Sequence, residues 1–158
     1  MNDRTDLTSL ARGFAHAAHL GQYDRDSRLH IEHVARVVAG VIDAEALLPG
    51  ATAAAWLHDV VEDTPATFEY LARAGFPVQV VTAVRLLTRP EDEVGVPGAY
   101  MDYVARIALA PGDAGRIARA VKRADLADNI TRSVAEGSAK LAARYEHALR
   151  IVNGEDTA

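Results

Sequence analysis

Ala55-Trp56-Leu57-His58-Asp59-Val60-Val61-Glu62-Asp63-Thr64 sets an adjacent imidazole and carboxylate into an otherwise apolar helical run. Pro49–Gly50 punctuates the chain before it and Thr64–Pro65 breaks it afterwards, so the spacing predicts one helix from Thr52 to Glu62. The His–Asp pair then falls at the end expected to be buried. Burying an ionised carboxylate without a partner costs several kcal/mol or more, and a divalent cation compensates that cost most directly. Glu62 stands at i+4 from His58, and Asp63 at i+4 from Asp59, so each pair shares a helix face. A solvated acidic helix end stopped by Thr64–Pro65 is the competing reading of this segment alone.

Outward from this stretch, helical periodicity dominates. Ser9 to Leu20 is one segment; Val34, Val37, Val38 and Val41 form the stripe of a second, which His30 and His33 extend towards its start. A short helix ends near Gly75, and others run from about Tyr100 to Leu109, Asp113 to Ile130, and Ser138 to Ile151. Val78 to Leu87 is rich in β-branched residues and would suit a strand, but no partner strand is visible, so it is read as a buried helix. Glu91 to Gly98 is a loop. The expectation is an all-α, single-domain bundle over residues 1–158, with its core at about residues 9–151 and a site in a central cleft.

Composition narrows the chemistry. The 158 residues are 49% hydrophobic and contain no cysteine, which excludes disulfides, thiolate metal sites and cysteine nucleophiles. A formal net charge of −5 argues against a general duplex-DNA binder, which needs a basic face. It leaves room for a small anionic substrate, because a bound cation dominates its local field. The first residues carry Asp3, Arg4, Asp6 and Arg12 without an apolar segment, and no stretch approaches the ~20 apolar residues that span a bilayer. A cytoplasmic location is expected.

A second polar cluster lies in Val121-Lys122-Arg123-Ala124-Asp125-Leu126-Ala127-Asp128-Asn129-Ile130. Asp125 and Asn129 share a helix face there, and Asp125 sits at the edge of the side built by Ile117, Val121, Ala124 and Ile130. An ordinary surface aspartate paired to Lys122 or Arg132 is the alternative. His33 lies on the apolar stripe of its own helix. Together, His33, His58, Asp59 and Asp125 would bring two imidazoles and two carboxylates from three helices. That mixed set suits Mn²⁺, Fe²⁺, Zn²⁺ or Mg²⁺.

In this order the residues resemble the H…HD…D signature of HD-superfamily phosphohydrolases, and most closely the hydrolase domain of the RelA/SpoT group. The group's AHxGQ opening is matched by Ala18-His19-Leu20-Gly21-Gln22 followed by His33, and its HDVVEDT stretch runs unbroken from His58 to Thr64. Its LADRLHN pattern is similar to Arg123 to Asn129, and Arg144-Tyr145 resembles small stand-alone relatives. The resemblance implies hydrolysis of the 3′-pyrophosphate of (p)ppGpp. It also implies one divalent ion, Mn²⁺ foremost, on His33, His58, Asp59 and Asp125, with Glu62 and Asp63 activating or orienting water. Asn129 and Lys122 match residues near the nucleotide.

Three positions depart from the group. Asp24 stands where an Arg normally packs on guanine, leaving Arg25 or Tyr23 for that role; His30 replaces a Tyr, and Asp128 replaces a His. None removes an implied ligand. Tyr100, Asp102 and Tyr103 match a YxDY stretch of the small relatives and are candidates for the pocket wall, while Arg28, Arg36, Arg123 and Arg132 are further candidates for phosphate contacts. The reading is therefore a metal-dependent hydrolase of a nucleotide, with a nucleotide-binding or regulatory metal module of little turnover as the alternative. A purely structural helical protein is a third reading. Oligomeric state is not legible.

Overall fold

In the computed structural model, residues 3–24 and 27–155 are described. The chain runs through helices α1 (Asp3–Ala18), α2 (His30–Val41), α3 (Ala51–Leu57), α4 (Val60–Asp63), α5 (Phe68–Arg73), α6 (Val78–Leu87), α7 (Ala99–Leu109), α8 (Gly112–Ala135) and α9 (Ala139–Asn153). Short 3-10 turns span Ile42–Ala46 and Glu91–Glu93. Among the described residues there is no strand; Tyr23 and Leu29 form one isolated bridge. None of the helices is long and apolar enough to cross a membrane.

The valine-rich segment is a helix because its buried residues recur at helical spacing. Val80, Val81, Ala83, Val84 and Leu87 face the core, whereas a strand would alternate. Upstream, the Glu45 carboxylate accepts from Gly50 N and Thr52 N, both at 2.8 Å, satisfying N–H groups that the start of α3 leaves open. Gly50 itself has φ +94°, and an added Cβ would lie 2.7 Å from Val80 Cγ2, so only glycine fits that turn. Thr67 caps α5 in the usual way, its hydroxyl accepting from Tyr70 N at 3.2 Å.

Long α8 is the structural axis, packed against α2, α3, α6, α7 and α9. One continuous core runs from Ala11 in α1 to Val152 in α9, with Leu57, Leu71, Ile107, Ile117 and Leu126 fully enclosed. Burying each such side chain contributes about 1.5–3 kcal/mol. The α2–α8 crossing is close at Gly40, where an added Cβ would stand 2.8 Å from Ala124 Cβ. This approach sets the distance between His33 and Asp125, which lie on those two helices.

One expectation fails locally. Thr52 to Glu62 is not a single helix: α3 ends at Leu57 and α4 begins at Val60, with His58 and Asp59 in the turn between them. Asp59 relaxes to φ −100°, ψ −5°. The His58 ring supplies the physical reason, because its Nδ1 hydrogen-bonds Ala55 O at 2.8 Å. A continuing helix would use that carbonyl for the Asp59 N–H. The interruption re-aims both side chains into the cleft.

Candidate metal centre and active site

Three segments converge in the cleft. His33 comes from the first turn of α2, His58 and Asp59 from the α3–α4 turn, and Asp125 from α8. His33 Nε2 lies 3.3 Å from Asp125 Oδ1 and 3.8 Å from Asp59 Oδ2, and His58 Nε2 lies 3.2 Å from Asp59 Oδ2. Donor atoms of His33, His58 and Asp125, all three buried, fall within 4.8 Å of one another, the grouping that could hold a metal ion.

The surroundings turn the right atoms inward. Asp128 Oδ2 takes His33 Nδ1 at 2.6 Å, and Asp128 is itself held by Arg36 Nε at 2.6 Å. The Ala55 carbonyl takes His58 Nδ1. Each imidazole therefore has its Nδ1 occupied and presents Nε2, the arrangement in which a carboxylate or carbonyl orients a ligating histidine. Asp125 is gripped on both oxygens, by Asn129 Nδ2 at 2.7 Å on Oδ1 and by Lys122 Nζ at 2.8 Å on Oδ2.

The charges follow from this crowding. Burial opposes a protonated His33, yet hydrogen bonds to Asp125 and Asp128 more than offset it and raise its pKa to about 9. Burial opposes the charged form of His58 as well, and Asp59 reverses it. Asp125 is held well below the ordinary carboxylate range, where Lys122 and His33 overcome its burial. Asp59 is likewise held low by His58 and His30 against its own burial.

Those residues fit a divalent cation. His58 Nε2 is buried, and although Asp59 Oδ2 stands 3.2 Å away, no hydrogen bond of good geometry reaches it among the described residues, which is costly for a polar atom unless something else meets it. Its neighbours are carboxylate oxygens and a second imidazole nitrogen, a donor set that suits borderline divalent ions.

A polar pocket of about 360 Å³ opens over this centre. Glu62 lies in its wall, and its Oε2 accepts from Arg89 N at 2.8 Å. Burial raises the Glu62 pKa against that hydrogen bond, and burial followed by the Asp59 charge raises that of Asp63. Lys122, Arg89, Arg132 and Arg144 also line the pocket, with Asn129 and the rings of Tyr100, Tyr103 and Tyr145. Arg144 stacks over Tyr100 at 4.1 Å, and Tyr103 donates its hydroxyl to Leu87 O. A wider apolar groove of about 570 Å³, lined by Phe14, Tyr70 and Thr64 to Thr67, shares no residue with this pocket.

The comparisons with known proteins meet this geometry at one point. The chain is similar to the solved structure of a metazoan orthologue of SpoT that hydrolyses ppGpp and plays a role in starvation responses. The TM-score is 0.73 and the identity 25%, covering 94% of this chain and 84% of that one. This chain shares its fold with a ppGpp hydrolase. No protein-family profile and no curated protein matches it by sequence.

With that ppGpp-hydrolase fold, the His/Asp cluster fits an HD-type hydrolase. The residues expected from sequence mostly meet in the cleft: His33, His58, Asp59, Asp125, Glu62, Lys122 and Asn129 all line it. Lys122 and Asn129 direct donors to Asp125. Tyr100 and Tyr103 line the pocket and Asp102 does not. Of the other basic candidates, Arg132 reaches it while also holding Asp24 at 2.9 Å; Arg36 pairs with Asp128 and Arg123 with Asn153. Arg25 lies outside the described residues.

Sequence reasoning did not identify Asp128, His30, Arg89 and Arg144 as parts of the site. Asp128 had a local signal, standing at i+3 from Asp125 on the same helix face. His30 had one too, at i−3 from His33. Arg89, in a Thr-Arg-Pro loop, had none.

Proposed function

We propose that this chain is a metal-dependent phosphohydrolase acting on a nucleotide, with ppGpp as the leading substrate and Mn²⁺ as the leading metal. The observation that carries the reading is that the His33/His58/Asp59/Asp125 centre and four cationic residues, Arg89, Lys122, Arg132 and Arg144, line one pocket. A neighbour of the same fold that hydrolyses ppGpp supports the substrate class.

In this reading His33, His58, Asp59 and Asp125 hold the ion. An ion held there supplies Lewis acidity, bringing the pKa of water towards neutrality and offsetting charge on a phosphate. Everything else is done by side chains. Glu62, anchored by the Arg89 N–H, accepts a proton from the attacking water as its oxygen bonds to phosphorus and the P–O ester bond to the ribose 3′ oxygen breaks; the proton then passes to that oxygen, leaving a hydroxyl and free pyrophosphate. Asp63 orients the same water. Arg89, Arg132, Arg144 and Lys122 neutralise the phosphate oxygens, a service that charge-assisted hydrogen bonds perform well in a partly dry pocket. Tyr100 and Tyr145 offer aromatic faces to a base.

The test is hydrolysis of ppGpp by metal-free protein with and without added Mn²⁺, beside GTP, GMP and a cyclic nucleotide. Mn²⁺-dependent pyrophosphate release from ppGpp is the expected result. Turnover of other nucleotides only would retain the phosphohydrolase and discard ppGpp. Bound metal with no turnover of any of them would favour a regulatory nucleotide-binding module.

A further inference from the structure

Asp24 and Arg132 form an ion pair between residues 108 positions apart. Arg132 Nη2 donates to Asp24 Oδ2 at 2.9 Å, joining the last turn of α8 to the segment between α1 and α2. The two side chains are 17% and 7% exposed, so water and salt screen the pair weakly. Arg132 lines the pocket over the metal centre, whereas Asp24 is not part of that lining. We propose that Asp24 is a positioning residue, which holds the Arg132 guanidinium in place to receive a phosphate group of the substrate. The proposal rests on the phosphohydrolase reading for the identity of that group.

Asp24 is itself firmly placed. Its Oδ1 accepts from Arg28 N at 2.9 Å, and its own N–H donates to Arg28 O at 2.8 Å. Tyr23 bridges Leu29, and His30 N donates to Gln22 O at 3.0 Å. These bonds fasten Asp24 to the first residue of α2, the helix that carries His33. Arg132 is thereby tied to the helices of both His33 and Asp125, to α8 through its own backbone and to α2 through Asp24.

The donors of Arg132 show what the pair leaves over. A guanidinium carries donors only. Asp24 takes one of its nitrogens, and the buried Nε has no hydrogen-bond partner among the described residues. A buried donor left unmet is costly unless a ligand or water meets it. Lys122 is engaged by Asp125 inside the pocket, and Arg144 stacks on Tyr100. Arg132 instead takes its carboxylate from outside the lining, which leaves the pocket's own carboxylates to the metal. A planar fork of this kind matches phosphate oxygens in geometry as well as in charge. Fixing it before the substrate arrives removes the ordering of a flexible side chain from the binding step.

The test is a double-mutant cycle on Asp24→Ala and Arg132→Ala, with circular dichroism and melting temperature confirming each fold. Calorimetry of inorganic pyrophosphate on metal-free protein reads binding without turnover. Hydrolysis of ppGpp with Mn²⁺ reads KM and kcat separately. Asp24→Ala should weaken pyrophosphate binding and raise KM by about 2–10-fold, the effect of freeing one rotamer-rich side chain, with kcat and Mn²⁺ affinity unchanged. Arg132→Ala should cost about 10–100-fold in both binding and KM. Adding Asp24→Ala to it should cost nothing more. Asp24→Asn keeps an acceptor for Arg28 N and should shift KM in the same direction as Asp24→Ala.

A full Asp24→Ala effect in the Arg132→Ala background overturns the proposal, as does a fall in Mn²⁺ affinity matching the rise in KM; Asp24 then braces the fold only. Unchanged pyrophosphate binding and KM in Asp24→Ala overturns it too, and so does a native protein that binds no pyrophosphate. A cycle that closes for pyrophosphate, in a native protein that turns over no nucleotide, supports the Asp24–Arg132 assignment and discards the hydrolase reading.

Discussion

His33 Nδ1 meets the Asp128 carboxylate at 2.6 Å across the α2–α8 interface, and this contact decides which nitrogen of the ring faces the cleft. Asp128 thus acts on the centre through His33 rather than by reaching it. Orienting carboxylates of this kind typically account for 10–100-fold in metal affinity. Asp128→Ala should therefore weaken Mn²⁺ binding by roughly that factor while leaving the helical circular-dichroism signal in place. Unchanged affinity in a calorimetric titration would show that the contact does not orient the ring.

Asp125→Asn should remove high-affinity metal binding and also lower stability. The variant leaves the buried Lys122 ammonium without its counter-charge, and breaking a buried pair from one side costs about 3–5 kcal/mol. The melting temperature of metal-free protein should fall by several degrees at least. Lys122→Met combined with Asp125→Asn should recover part of that loss without restoring metal binding.

Gly40→Ala carries an unusual sign. Replacing glycine inside a helix ordinarily stabilises by about 0.5–1 kcal/mol. Here the new methyl would meet Ala124 Cβ at 2.8 Å, so α2 must move away from α8 and carry His33 away from Asp125. Both the melting temperature and Mn²⁺ affinity should drop. A rise in melting temperature would show that the interface has slack.

The metal-free protein should lose stability as pH rises. His33 has its pKa raised from 6.5 to about 9, so its contribution is fully present below about 6.5 and is lost as pH climbs through about 9. Asp128 works at the other end: burial opposes its ionisation, but His33 and Arg36 hold its pKa down to about 2, so its contribution is present above 3.8 and is lost as pH falls towards about 2. Melting temperature followed against pH in chelator should show both limbs, and His33→Gln should flatten the alkaline one. Mn²⁺ bound at His33 would displace its proton, so binding should release protons and tighten as pH rises towards about 9.

Glu62→Gln should bind Mn²⁺ as the native protein does and lose about 10²–10⁴-fold in kcat. In the native protein, burial raises the Glu62 pKa above 4.5, so activity should fall with acid from above the usual glutamate range. Turnover equal to native in Glu62→Gln would remove it from proton transfer.

The helical class was legible because periodicity is local: α6 follows the spacing of Val80, Val84 and Leu87 despite its β-branched composition. The candidate ligand types were legible too, since a His–Asp pair among alanines and valines demands compensation wherever the helix lies. The break between α3 and α4 was not, because it depends on the His58 ring taking the Ala55 carbonyl, a choice of rotamer and tautomer that residue order does not display.

Residue order by itself determined that this chain is a helical bundle carrying imidazoles and carboxylates among apolar residues. Periodicity and desolvation cost are properties of single segments, and they need no partner to be read. Only the tertiary structure decided which atoms meet. It brought His33 to Asp128 from 95 residues away, set Arg89 and Arg144 in the lining of one pocket, and placed Asp59 Oδ2 among three imidazoles. The His33–Asp128 distance depends on how closely α2 approaches α8 at Gly40, and packing between helices determines that approach.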